Sequence, residues 1–104
     1  MTTKEQQQDL LRARLNDETS RLPWKELQRF FAAGTVIAVI NELDLVDVAM
    51  HIAIDDKNVV AQWMSDGRVG RVSDAQAIAW LEADAALWTV VVKPWVLVQQ
   101  EKPL

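Results

Sequence analysis

The sequence predicts an α+β domain. A small mixed or antiparallel sheet is packed by about five helices and ends in a long, bent C-terminal strand. Short β-branched runs alternate with segments whose apolar residues recur every three or four positions, which is how strands set among amphipathic helices read. Glycine and proline mostly fall between these segments rather than inside them. The 104 residues fit one domain by the usual size range, with no repeat, low-complexity tract or interdomain linker.

The first helix is read from Lys4 to Leu22, with Leu11, Leu15 and Leu22 on one side. Residues 1–5 and 101–104 are expected to fray. Pro23 stops this helix and suits the first turn of the next, "PWKELQRFFAAG", where Trp24, Leu27 and Phe31 share a face and Gly34 ends it. "TVIAVI" is short and β-branched, hence a strand. Asn41 then caps a third helix, with Asp44 favouring its N-terminal dipole and Leu43, Val46, Met50 and Ile54 as its apolar stripe. Asp56 opens a fourth, "KNVVAQWMSDG", whose Val59, Val60, Trp63 and Met64 share a face before Gly67. "RVGRV" is a short strand. Ser73 and Gln76 make a capping box for the fifth helix, "DAQAIAWLEAD". The expected order is α-α-β-α-α-β-α-β. A winged-helix arrangement fits part of it, but the helix that would enter a DNA groove carries only Lys57 as a cation.

The last element, "LWTVVVKPWVLVQQ" from Leu87 to Gln100, is the most apolar. Both of its alternating sets are apolar, so it is expected to be covered on both faces. Lys-Pro suits neither central position of a type I′ turn, so a strand bent at Lys93-Pro94 is expected in place of a tight hairpin. Its missing amide donor places it near a sheet edge. Trp88 and Trp95 then fall on opposite faces, and a second copy of the chain is expected to bury part of the surface at Trp88, Val92, Trp95 and Leu97 in a twofold dimer. The five tryptophans are otherwise accounted for as core, since helical spacing explains Trp24 and Trp63 without a ligand.

Composition narrows the function. There is no cysteine, which removes thiol catalysis, zinc thiolates and disulfides. The start lacks an apolar signal core and no run approaches the roughly 20 residues of a bilayer span, so the protein is expected to be cytoplasmic and away from membranes. Net charge is −4. It is concentrated in residues 35–66, which carry one basic and six acidic groups. Phosphate neutralisation needs a basic surface, so nucleic acid is not an expected partner. A basic protein surface could instead be drawn to this segment.

One polar arrangement has chemical content. Asp44, Asp47, His51 and Asp55 recur at helical spacing, and imidazole with carboxylates at i±4 can hold a divalent metal. A solvated acidic face is the commoner meaning of such a stripe, and there is no second histidine to complete a site. Ser20, Ser65 and Ser73 lack a Gly-x-Ser-x-Gly setting, and no cofactor motif is present. Arg68 and Arg71 beside two glycines could hold an anion, although an ordinary edge strand explains them.

"RLPWKELQRFFAAGTVIAV", "ELDLVDVAMHIAIDD" and "WTVVVKPWVLVQ" together resemble a bacterial family, domain of unknown function 2288. The resemblance spans most of residues 12–99 and implies a bacterial cytoplasmic single-domain protein. It implies no activity, cofactor or catalytic residue. The expected function is that of a small non-enzymatic interaction or regulatory protein that self-associates. The alternative is a metal-binding or metal-dependent protein using the α-helical acidic stripe.

Overall fold

A computed structural model describes residues 3–100. The ends expected to fray at residues 1–2 and 101–104 lie outside the described residues, and residues 3–5 form the first turn of a helix. In chain order the elements are α1 (Thr3–Glu18), β1 (Ser20–Pro23), α2 (Trp24–Ala32), β2 (Val36–Val39), α3 (Leu45–Ala53), α4 (Lys57–Ser65), β3 (Val69–Arg71), α5 (Asp74–Glu82), β4 (Ala86–Val92) and β5 (Trp95–Gln99). They form one five-stranded mixed sheet in the order β1-β4-β5-β2-β3, with only the β2–β5 pair parallel. The α+β expectation with five helices holds.

Helices cover both faces of the sheet. On one face α1, α3 and α4 pack over Ile37, Val39, Val69, Val90 and Leu97. On the other, α2 and α5 pack over Val36, Val72, Leu87, Val96 and Val98. Trp24 anchors the second layer, with its ring 5.1 Å from Trp80 in an edge contact and 5.6 Å from Phe31. Burying a ring of this size removes about 150–250 Å² from water, or about 4–6 kcal/mol of gross transfer free energy. Among the described residues no helix is long and apolar enough to cross a membrane.

Several local expectations are corrected. The first helix ends at Glu18, and Ser20–Pro23 pairs with β4, with Leu22 opposite Leu87. Pro23 disfavours helical geometry at Leu22, and backbone pairing along β4 offers that residue an alternative. Asp44, not Asn41, caps α3: its side chain accepts the Val46 N–H at 2.9 Å. Both residue types cap well, so the sequence alone does not choose between them. Met64, expected on the packed face of α4, is half exposed, because α4 covers only the margin of the sheet. The glycine stops and the Ser73–Gln76 capping box stand as expected, with Gly34 and Gly67 at φ +77° and +75°.

The largest correction concerns the C-terminal stretch. It is a tight hairpin: β4 and β5 pair antiparallel from Trp88–Gln99 to Val92–Trp95, with only Lys93-Pro94 between them. The Lys93-Pro94 peptide is cis, which gives the turn class with cis-proline at its third position. Reasoning confined to trans turns could not reach it. Pro94 therefore leaves no gap in a ladder, and β5 lies in the centre of the sheet instead of near its edge. Reversing the chain also puts Trp88 and Trp95 on the same face, both packed against the α1–α3–α4 core. The double-sided apolar pattern was a correct sign of double cover, and helices supply it.

Candidate functional site

The acidic stripe of α3 is a set of separate pairs. Asp44 is committed to the cap. Asp47 Oδ1 accepts from the Arg12 guanidinium of α1 at 2.6 Å, a contact 41% and 35% exposed on its two sides. The His51 Nδ1–H donates to the Asp47 carbonyl at 2.8 Å, since a carbonyl oxygen only accepts. Its Nε2 lies 3.9 Å from Asp56 Oδ2, and its ring stands edge-on to Trp63 at 5.2 Å. Asp55 sits at φ 59° just past the helix, next to Lys57 Nζ at 3.8 Å. Among the described residues no three His, Cys, Asp or Glu side chains are grouped to hold a metal ion. A stripe drawn on an ideal helix fails here because the helix ends between its members: Asp44 precedes α3 and Asp55 follows it.

The second set, Trp88, Val92, Trp95 and Leu97, shares one sheet face. Leu97 has no exposed surface, whereas Trp88, Val92 and Trp95 are half buried at the margin of the same core.

The structure brings His51, Asp55 and Trp95 together around one groove. About 300 Å³ of space lies between the α3–α4 corner and the β2–β3 end of the sheet. Its apolar walls are Ile37, Ile52, Val60, Met64, Val69 and Trp95, and its charged rim is His51, Asp55, Asp56, Arg71 and Lys93. The sheet register sets the floor. Arg71 stands opposite Ile37, and Ile37 is opposite Leu97, so all three share the α3–α4 face. The hairpin turn carries Lys93 to the same end of the sheet. A second cleft, about 380 Å³, opens on the other face among Asn41, Glu42, Gly67, Arg68, Gly70 and Gln76. Glu42 mixes its charge, and the Gln76 Oε1 already accepts the Ser73 N–H at 3.0 Å.

A further surface lies on α5. Its inward residues Ala77 and Trp80 are buried, yet Ala75, Ile78, Ala79 and Leu81 face outward, with Ile78 58% exposed. Asp74, Gln76 and Glu82 break this outward face, and the apolar residues between them exceed what a solvated helix face needs. Beside this helix lies α2, which exposes Lys25, Glu26 and Arg29, while Asp74, Glu82 and Asp84 lie around α5. Lys25 Nζ is 3.5 Å from Asp84 Oδ1.

Comparison with known proteins places the chain. A family model described as "Protein of unknown function (DUF2288)" matches residues 10–100. The chain belongs to that family. A solved structure, the NMR solution structure of PA1075 from Pseudomonas aeruginosa, is 46% identical and superposes with a TM-score of 0.78. The match covers 88% of this chain and 85% of that one. No curated protein matches the chain. Within this DUF2288 chain, sequence reading singled out His51 and Asp55 but missed Val60, Met64, Val69, Arg71 and Lys93 as neighbours of one groove. Two signals were available: Arg71, read from the sequence as able to hold an anion, and Met64 on the α4 apolar stripe, which the structure leaves half exposed.

Proposed function

We propose that this protein is a small non-enzymatic interaction protein that works as a homodimer. The observation supporting this is the outward apolar face of α5 beside Lys25 and Arg29 of α2. A twofold interface must be self-complementary, because each patch meets a copy of itself. Stacking α5 on its own copy would bring acidic ends together. A twofold axis running between the two helices instead lays α5 over the partner's α2, so Asp74 and Glu82 face the partner's Lys25 and Arg29. Ile78 and Leu81 then lose their water contact. The interface expected along the terminal stretch is thus moved to the opposite face, since Leu97 is consumed by the core. The chemistry of His51 supports a binding role over catalysis: one nitrogen is held by a backbone carbonyl, and none of Ser20, Ser65 or Ser73 is bonded to the ring. The cysteine-free chain and the bacterial source of the solved relative support a bacterial cytoplasmic setting.

Light scattering across a concentration series tests the dimer. The wild type is expected to run at twice its 11.8 kDa mass. Ile78→Glu is expected to run as a folded monomer, since the glutamate is solvated when free but desolvated when paired. A wild type that stays monomeric at every accessible concentration refutes the proposal, as does an Ile78→Glu variant that remains dimeric.

A further inference from the structure

We infer that the groove between α3, α4 and the sheet binds a small amphiphile with a carboxylate head and an unbranched apolar tail. This is separate from the dimer, which uses the opposite face. Two observations define the ligand.

The first is the distribution of paired and unpaired charge on the rim. On its acidic side, Asp55 lies 3.8 Å from Lys57 in an exposed pair, and Asp56 lies 3.9 Å from His51, a contact that is an ion pair only with a protonated imidazole. Its basic side has no such neighbours among the described residues. Neither Arg71 nor Lys93 forms an ion pair or a side-chain hydrogen bond with a described residue. Arg71 on an edge strand and Lys93 in a hairpin turn both line this groove, so an anion seated there meets two cations. A planar guanidinium takes a carboxylate through two parallel hydrogen bonds, and a lysine adds a point charge.

The second is the wall. Ile37, Ile52, Val60, Val69 and Trp95 give an apolar channel, and Met64 closes it with a side chain flexible enough to fit tails of differing shape. The 300 Å³ of space holds roughly ten groups at about 30 Å³ each. That is the size of an eight-carbon carboxylate. Apart from the Trp95 indole N–H, the wall side chains are apolar and suit methylene groups better than a polar tail. A peptide would need a longer channel, and a nucleotide would need polar groups where Ile37 and Ile52 stand.

The test is an amide-resolved NMR titration of the full chain with octanoate, and in parallel with octan-1-ol and octylammonium. Octanoate is expected to shift the signals of Val60, Met64, Val69 and the Trp95 indole N–H saturably. Octan-1-ol should bind at least tenfold more weakly, and octylammonium more weakly still. Arg71→Gln and Lys93→Gln lie at exposed positions that the fold does not use. Each should weaken octanoate by about tenfold, the worth of one charge-assisted hydrogen bond, while leaving octan-1-ol unchanged. Val60→Trp should block all three probes. The proposal is overturned by shifts that do not saturate or that map to α5. Equal affinity for octanoate and octan-1-ol overturns it too, and so does a double Arg71→Gln, Lys93→Gln variant that binds octanoate as the wild type does. The amide spectrum itself reports whether each variant is folded.

Discussion

Replacing Gln99 with leucine probes how the end of β5 is tied to the loop before α3. Gln99 is 1% exposed, and its amide donates to the Ile40 carbonyl at 2.8 Å and the Leu43 carbonyl at 2.6 Å. It thereby ties the end of β5 to the loop that delivers α3. Each hydrogen bond contributes about 0.5–1.5 kcal/mol net, so losing both costs roughly 2 kcal/mol. Two further effects oppose each other. The Leu43 carbonyl is left without that donor, which costs about 1–3 kcal/mol, whereas the Gln99 Oε1, buried with no partner, is removed with a gain of similar size. Ile40 keeps a second donor, the Leu43 N–H at 3.2 Å. The net loss is therefore about 2 kcal/mol, and at about 4–8 °C per kcal/mol in a domain of this size the melting temperature falls by roughly 8–16 °C. Gln99→Glu should be worse. It removes both donors and sets a buried carboxylate against two carbonyl oxygens, at a cost of several kcal/mol. Urea unfolding followed by circular dichroism measures both variants. A Gln99→Leu protein as stable as wild type, or more so, would refute the tie and show that apolar burial at this position outweighs its hydrogen bonds.

Gly34→Val and Gly67→Val should each lose at least about 1 kcal/mol in the same assay, since both positions have φ near +75°, which a β-branched residue resists although no atom crowds the added Cβ. Ser73→Ala should cost about 1 kcal/mol by removing the Gln76 N–H acceptor at 3.1 Å, with Gln76→Ala smaller. Arg12→Ala should change stability by less than about 1 kcal/mol, because the Arg12–Asp47 pair is over a third exposed on both sides. Adding Mg²⁺, Mn²⁺ or Zn²⁺ should leave the melting temperature unchanged. A rise that grows with metal concentration would make the acidic stripe of α3 a metal site.

What the residues disclosed depended on whether a signal was local. Gly34, Gly67 and the Ser73–Gln76 box act within a turn of chain, and each was legible because the local geometry leaves few alternatives. The apolar double pattern of Leu87–Gln100 disclosed cover on both sides for the same reason. The hairpin was not legible: a Lys-Pro pair in a trans bend and in a cis turn are the same letters, and the choice is made by whether β5 finds β2 beside it. That pairing joins Val36 to Val96 across most of the chain. Leu22 was misplaced for a related reason, since four residues paired to β4 show no period of their own. The groove was hidden because its parts come from α3, α4, β2, β3 and the β4–β5 turn, so Arg71 and Lys93 meet only once the sheet is ordered. Gln99 looked like a polar residue at the end of a strand, and only the structure shows it buried and bonded across to Leu43.

In the proposed dimer two copies meet through α5 and α2 and leave the terminal hairpin inside each copy. The most direct measurement is an isotope-filtered NOE experiment on a mixture of labelled and unlabelled protein. Contacts between copies are expected from the Ile78 and Leu81 methyls to protons of Lys25, Arg29 and Ala32. Contacts between copies at Val92 or Trp95, or no such contacts at concentrations where light scattering reports a dimer, would contradict it.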